Sequence, residues 1–436
     1  MFKNFKEIAK KYPNKVAIVS SDKSFTYAEI LEYIVNISKN FQEKNKAGII
    51  FLPKNEYSII FQLALNFSGN IFTPIDIKTP IDRVKEIINQ LSPEWIITSQ
   101  NFDGYIQLKK LDDFSILKSS NGKVYNKDVS HIYFSSGSTG LPKGILLSEK
   151  PAIEVVLEQA KIINMKPGKK FAWLLSSSFD ASLSDIYLTL LSGGELHICD
   201  FPQNKIKTLL NYLKNNHITH TDISPSILPF LNIDELSLES VIFGGEVGNE
   251  EVIKELSKKV NMFNAYGPTE TTICSSLKKV DEKWIASNIG VPLSGVEYTI
   301  IDNELYISGS HLCVGYLNDN LNQSKFCQID GKRFYKTGDL VNKKDDEYFY
   351  KGRTDRQFKH HGVLISPEEI ENWSRKAGCN EAKCENKEKF TLYYQGEINE
   401  KDLRIFLENK MNKNMIPSLI IKLDEFKTNI NGKTIL

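Results

Sequence analysis

Apolar positions recur at helical spacing just after a T-x-x-E string near the N-terminus. Ile30, Ile34, Ile37 and Phe41 follow Thr26 and Glu29, the sequence of a capping box, and predict a helix with one buried stripe. Residues 47–53 (AGIIFLP) form a short continuous apolar run, read as a buried strand. Helical patterns over 57–69 and 82–91 and a strand pattern over 95–99 come next. This alternation predicts a mostly parallel sheet covered by helices. Residues 118–130 are polar, contain Asn-Gly and read as a loop; helix and strand then alternate again from 152 to about 266. From 295 to 350 the pattern changes to short strands with turn signals, a β-rich section. After the basic string Gly352-Arg-Thr-Asp-Arg the remaining 80 or so residues return to mixed α and β. The expected fold class is α/β: a large N-terminal body of αβ layers with a β-rich subdomain (1–352), a hinge (353–356) and a small α+β C-terminal domain (357–436).

Length and charge narrow the classes. At roughly 100–200 residues per domain, 436 residues predict two to four structural units. Lys and Arg number 55 against 54 Asp and Glu, so no charge excess calls for nucleic acid. The N-terminus has no continuous apolar segment of the kind a secretory signal needs, and no run approaches the ~18–20 residues that span a bilayer. The six cysteines form no CxxC pair, so neither a zinc knuckle nor a redox motif is indicated, and scattered thiols fit a reducing cytoplasm. The expectation is a cytoplasmic enzyme with neither a nucleic-acid nor a membrane partner.

Five stretches carry candidate chemistry. In 133–144 (YFSSGSTGLPKG) an apolar strand runs into Ser135, Ser136, Gly137, Ser138, Thr139 and Gly140, followed by Lys143. Small hydroxylic residues among glycines expose backbone N–H groups that can cradle phosphate oxygens, and Lys143 adds a positive charge. The spacing is not that of a Walker A loop. In 263–274 (FNAYGPTETTIC) Glu270 is a hard-oxygen candidate for Mg²⁺ and Tyr266 a candidate to stack on a base; a solvated Glu after a Gly-Pro turn is the plainer alternative. In 335–340 (YKTGDL) Asp339 follows a Thr-Gly turn and could accept from a ribose diol. The fourth stretch is 351–371 (KGRTDRQFKHHGVLISPEEIE) and the fifth 429–433 (NINGK).

In this order and at these separations, the five stretches resemble the adenylate-forming superfamily: acyl-CoA synthetases, luciferases and the adenylation domains of nonribosomal peptide synthetases. The resemblance covers nearly the whole chain. It implies ATP and Mg²⁺ as cofactors, attack of a substrate carboxylate on the α-phosphate, and transfer of the acyl group to a phosphopantetheine thiol. It assigns the β,γ-phosphates to Ser135–Lys143, the α-phosphate to Thr269 and Mg²⁺ to Glu270. Asn264, Ala265, Tyr266, Gly267 and the Gly245–Glu246 turn would frame the adenine; Asp339 and Arg353 would fix the ribose. Lys433 would reach in from a mobile C-terminal lid as the principal catalytic residue of the first half-reaction, and Asp355 would be the pivot.

Residues 178–185 (SFDASLSD) carry F-D-x-S. By the resemblance, Asp180 pairs with the α-ammonium of an amino acid, a group that acyl-CoA and aryl members do not meet. A desolvated ammonium needs a counter-charge; an N-cap on a helix over 181–191 is the alternative use of this Asp. The matching side-chain pocket is Ala181, Ser184, Asp222, Ile242, Gly244, Ala265, Ile273 and Cys274. Its small members leave room for a medium or long side chain. Asp222 is unusual, because a buried carboxylate needs a partner, which points to Lys, ornithine, Arg or Gln. Ile273-Cys274 also occurs in aromatic-selecting pockets, so a hydroxylated aromatic is a rival. Three departures stand out. Ser148 or Glu149 occupies the place of the usual His after Gly144, and His361, preceded by His360, stands in the usual basic position of K-x-R-G. The chain also ends three residues after Lys433, with no carrier or condensation domain. The resulting expectation is a free-standing amino acid adenylation enzyme that serves a carrier protein in trans. D-alanine–carrier protein ligases share the His and the F-D-x-S-x-x-D-I-Y of Phe179–Tyr187, though they tend to carry Cys where Gly244 stands. An acyl-CoA synthetase and a non-catalytic adenylate-binding protein complete the alternatives.

Overall fold

The computed structural model describes residues 1–21, 23–111, 113–136, 141–200, 205–360, 362–387, 389–424, 426–428 and 434–435. The chain divides into two compact units. One comprises Met1–Ile77, Gln90–Phe134 and Gly144–Thr354; the other comprises Lys78–Asn89, Ser135–Lys143 and Asp355–Leu436.

The first unit is built on three sheets. In one, the order is Ser276–Lys279, Asn261–Tyr266, Ser240–Gly244, His220–Asp222, Lys170–Trp173, Glu195–Ile198, Val16–Ser20 and Lys23–Thr26. Its six inner strands run parallel and the two outer ones antiparallel. A second eight-stranded sheet centres on Ala47–Leu52, flanked in parallel by Ile71–Asp76 and Trp95–Thr98. All six residues of Ala47–Leu52 are buried, which is why that segment reads as an unbroken apolar run. The third sheet is antiparallel, of six strands between Asn288 and Arg353, and is the β-rich section.

Local signals set the helices. Thr26 and Glu29 form the capping box in full, and the helix Tyr27–Ser38 buries Ile30, Ile34 and Ile37. Phe41 lies beyond its end but is also buried in the core. One apolar cluster joins this helix to Glu56–Phe67 and Glu149–Ile162 and to strands of both large sheets. A second cluster, with Phe243, Met262 and Trp284, fills the far flank of the first sheet.

The Thr-Gly turn expected before Asp339 is not a turn. Thr337 and Gly338 lie inside one long strand, Lys332–Lys344, whose register shifts against its neighbours. Gly338 supplies φ +75°, and a Cβ there would come 2.7 Å from Arg353 Nη2. A bulge therefore aims Asp339 where a turn was expected to.

The second unit holds the hairpin Phe358–His360 with Val363–Ile365 and the three-stranded sheet Cys379–Asn386, Phe390–Gly396 and Leu419–Lys422. Its helices include Pro367–Lys376 and Glu400–Lys410. Residues 78–89 and 135–143, which the sequence reading kept in the N-terminal body, count with this unit. A buried ion pair, Arg83 to Glu369 at 2.7 Å, and the Ser136 hydroxyl donating to the Leu364 carbonyl tie them in. No helix among the described residues is long and apolar enough to cross a membrane.

Candidate active site

The carboxyl ends of the parallel strands in the first sheet gather most of the predicted residues. Ser240–Gly244 leads into Gly245 and Glu246, and Asn261–Tyr266 leads into Gly267 and the single helical turn Thr269–Thr271. Ligands in open parallel sheets bind at this end.

Asp180 sits at the start of a short helix, Ala181–Leu183, that widens into a π-helical turn over Ser184–Leu188. Its side chain does not cap that helix, so the N-cap alternative and the regular helix over 181–191 both give way. Asp180 Oδ1 accepts from the Thr269 hydroxyl at 2.9 Å and Oδ2 from the Ile273 N–H at 3.0 Å. Among the described residues no cation pairs with it. Burial pushes its carboxyl up to about 6, against the pull of those two hydrogen bonds. The Ile273 N–H reaches it through strain: Thr272 and Ile273, both β-branched, stand at φ 57° and 69°. Thr272 is held there by its hydroxyl on the His311 carbonyl, 2.7 Å.

The residues expected on the nucleotide side are held differently. Asp339 is buried; it accepts from the Tyr266 hydroxyl at 2.6 Å and pairs with Arg353 at 2.5 Å. Arg353 also donates to the Thr337 carbonyl at 3.2 Å. Asp339, Tyr266 and Arg353 are thus brought together, with the tyrosine's hydroxyl committed to the carboxylate. Asn264 is buried, its amide donating to the Asn288 carbonyl at 2.9 Å. Glu246 accepts from Ser224 at 3.1 Å.

Glu270 is buried, with one oxygen accepting from the Tyr316 hydroxyl at 2.5 Å. Among the described residues no group of three metal-ligating side chains forms. A lone carboxylate nevertheless fits Mg²⁺, which keeps several waters and takes one or two carboxylates beside substrate phosphates.

The residues expected to form the side-chain pocket meet in local pairs. Gly244 and Ala265 are cross-strand partners, and a Cβ at Gly244 would lie 2.3 Å from the Ala265 carbonyl oxygen. Glycine is what this close approach accepts, whereas the carrier ligases noted above tend to carry Cys. Ile242 pairs with Asp222 on the neighbouring strand. Burial raises the carboxyls of Asp222 and Asp185, and the Asp222 charge pushes Asp185 higher still. Ser184 and Cys274 are linked by a residue the sequence reading missed, Gln159. It accepts from the Ser184 hydroxyl at 2.6 Å and donates to Cys274 Sγ at 3.0 Å. Gly267 lies against the backbone of Cys274 and Ser275.

Ser135, Ser136 and Lys143 belong to the second unit, as does Asp355, an exposed residue whose carboxylate accepts from the Gln357 N–H at 3.2 Å. Gly137, Ser138, Thr139, Gly140, His361 and Lys433 lie outside the described residues.

A fold with parallel strands feeding a Tyr-Gly-Pro-Thr-Glu turn and a tyrosine- and arginine-held aspartate defines a class, and comparison with known proteins agrees. Residues 5–317 match the model of the AMP-binding enzyme family, and the chain belongs to that family. The resemblance to the adenylate-forming superfamily is thereby borne out. Among relatives, the D-alanine–D-alanyl carrier protein ligase of Staphylococcus haemolyticus is 32% identical over 84% of this chain and 80% of its own. Bacitracin synthase 3 of Bacillus licheniformis is 28% identical over 98% of this chain, which spans only 8% of that protein's length. Among solved structures, the Vibrio cholerae adenylation domain AlmE in complex with glycyl-adenosine-5′-phosphate superposes with a TM-score of 0.84. That match has 19% identity and covers 98% of this chain and 96% of the other, showing the same fold.

Proposed function

We propose that the chain joins an amino acid to ATP as an aminoacyl-adenylate and passes the aminoacyl group to the phosphopantetheine thiol of a carrier protein. The observation that carries this reading is Asp180, a buried carboxylate held by two neutral donors and paired with no cation among the described residues. An α-ammonium supplies the missing charge. Thr269, on the same carboxylate, is the residue assigned to the α-phosphate, so the anchor sets the amino acid's carboxylate beside the phosphorus it must attack.

In the first step a carboxylate oxygen of the amino acid bonds to the α-phosphorus. The bond from that phosphorus to the bridging oxygen breaks, and pyrophosphate leaves with the electron pair. In the second step the thiol sulfur attacks the acyl carbonyl, AMP leaves and the thiol proton passes to solvent. The protein's part is positioning and charge neutralisation. Thr269 holds the α-phosphate. Ser135, Ser136, Lys143 and the intervening glycine-rich residues hold the β,γ-phosphates. Asp339 and Arg353 hold the ribose, and Asn264, Ala265, Tyr266, Gly267, Gly245 and Glu246 frame the adenine. Glu270 would hold Mg²⁺, which would neutralise phosphate charge. Lys433 bridges carboxylate and α-phosphate. Asp355 is the pivot, supported by the change of compact unit between Thr354 and Asp355.

The 32% identical carrier ligase favours a second reading, in which the amino acid is D-alanine. One experiment separates the two and tests both: ATP–pyrophosphate exchange across proteinogenic, D- and non-proteinogenic amino acids, with fatty and aryl acids as controls. Exchange with amino acids alone is expected; preference for a fatty acid sinks the Asp180 argument. Lys433→Ala should cut exchange about 10²–10³-fold, the usual loss for one charge-assisted transition-state contact, and spare thioester formation from preformed aminoacyl-adenylate. Equal damage to both steps would overturn the assignment of Lys433.

A further inference from the structure

The helix Glu149–Ile162 turns an apolar stripe inward: Ala152, Val155, Val156 and Ala160 are buried. One amide interrupts it. Gln159 is 1% exposed, and both ends of its side chain are bound to residues from other parts of the chain. The Ser184 hydroxyl donates to its Oε1 at 2.6 Å, and its Nε2 donates to Cys274 Sγ at 3.0 Å. These two partners lie just beyond the ammonium anchor on either side. Ser184 is four residues after Asp180 on the same helical stretch, and Cys274 follows the Ile273 whose N–H holds Asp180. A buried glutamine must satisfy its amide, so a side chain kept here in place of a leucine has a directional role.

We infer that Gln159 is a specificity-determining residue of the amino-acid pocket, fixing its polarity so that it takes a side chain ending in N–H donors. The inference rests on the amino-acid reading above and deepens it. A serine hydroxyl has one proton and two lone pairs. Gln159 Oε1 takes the proton, so Ser184 turns only lone pairs to the remaining space. Burial, reinforced by the charges of Asp222 and Asp180, keeps the Cys274 thiol protonated, able to accept from Gln159 without becoming an anion. Asp222, on the strand paired through Ile242, adds a carboxylate. Of the three polar groups beyond the anchor, Ser184 and Asp222 are therefore acceptors, and only the Cys274 S–H remains as a weak donor. An ammonium, guanidinium or amide N–H satisfies them; an apolar terminus leaves them desolvated and unpaired, which is where pockets of this kind discriminate most strongly.

The test uses the full chain and measures kcat/KM for pyrophosphate exchange with lysine, ornithine and glutamine against norleucine, leucine and alanine. The wild type should favour the best N–H-terminated substrate over norleucine by tenfold or more. Gln159→Met conserves volume but releases the Ser184 proton; it should reduce that preference at least tenfold while leaving the KM for ATP within twofold. Gln159→Glu still accepts from Ser184, and should retain the preference and shift it from glutamine toward lysine. A thermal unfolding curve accompanies each variant; should Gln159→Met not fold, the shift from glutamine toward lysine in Gln159→Glu carries the test. A wild type that prefers alanine or norleucine overturns the inference. So does a Gln159→Met variant whose preference stays within twofold of wild type, or a Gln159→Glu variant showing no shift. If no amino acid supports exchange, the amino-acid reading falls first and this inference with it. Exchange with an unmoved preference removes this inference alone.

Discussion

Asp339 and Asp180 are both buried carboxylates, one on the long strand of the antiparallel sheet and the other in the segment after the parallel strand Lys170–Trp173, and the fold treats them in opposite ways. Asp339 has a guanidinium at 2.5 Å and a tyrosine hydroxyl at 2.6 Å. Asp180 has a threonine hydroxyl and a backbone N–H, and its charge is unmatched among the described residues. On the proposed function, the nucleotide side would carry its counter-charge within the chain, and the amino-acid side would leave it to the substrate. A neutral sugar needs an oriented acceptor, and the contact with Arg353 fixes the orientation of Asp339. A cationic substrate needs an unpaired anion, and an internal cation at Asp180 would compete with it.

Substituting each carboxylate's support should break this contrast in opposite directions. If Asp180 is the ammonium's partner, Asp180→Asn should lower exchange with every amino acid roughly 10²–10³-fold, the loss expected when one member of a buried ion pair goes. Stability should move the other way. The folded-state carboxyl titrates at about 6, above its ordinary 3.8, so the stability it contributes is present below about 4 and lost as pH rises through about 6. At pH 7.5 the variant should melt at a higher temperature than wild type, and the gain should vanish below pH 4. A lower melting temperature at pH 7.5 would mean that the two hydrogen bonds to the ionised carboxylate outweigh the cost of its burial.

Arg353→Met takes the guanidinium from Asp339 and leaves a buried charge short of its partner. The expected cost is about 3–5 kcal/mol of stability, read as a lower denaturation midpoint, with a raised KM for ATP. Unchanged stability would show that Tyr266 alone suffices and would erase the distinction between the two sites.

The sequence made one half of this contrast easier to see than the other. The capping box at Thr26, the buried run of Ala47–Leu52 and the β-rich section from 295 onward are local patterns, and local patterns survive folding. Asp180 and Thr269 are 89 residues apart, and only a resemblance could bring them to one place before the fold was known. The turn at Thr337-Gly338 was misread because a glycine with positive φ serves a bulge as well as a turn. Gln159 was missed although its signal was present: one amide on the inward stripe of an otherwise amphipathic helix. Its partners, 25 and 115 residues away, are what gives that amide a role.

The last expected difference is the smallest and concerns pH. The profile of kcat/KM reports groups of the free enzyme. On the proposed function Asp180 of the free enzyme must be ionised to receive the ammonium, and its carboxyl is pushed up to about 6 by burial. The kcat/KM for the amino acid should therefore fall as pH drops, with an inflection near 6 and a limiting slope of one decade per unit. The substrate's own ammonium stays protonated throughout that range, so the inflection belongs to the protein. Adenosine, which has no group titrating near neutrality, probes the other side: by the proposed function it would dock on Asp339, which is paired with Arg353. Its affinity, measured by calorimetry over the same range, should be flat. An inflection near 6 in both profiles would point to a shared structural transition. Its absence from the amino-acid profile would mean that the ammonium meets a carboxylate other than Asp180.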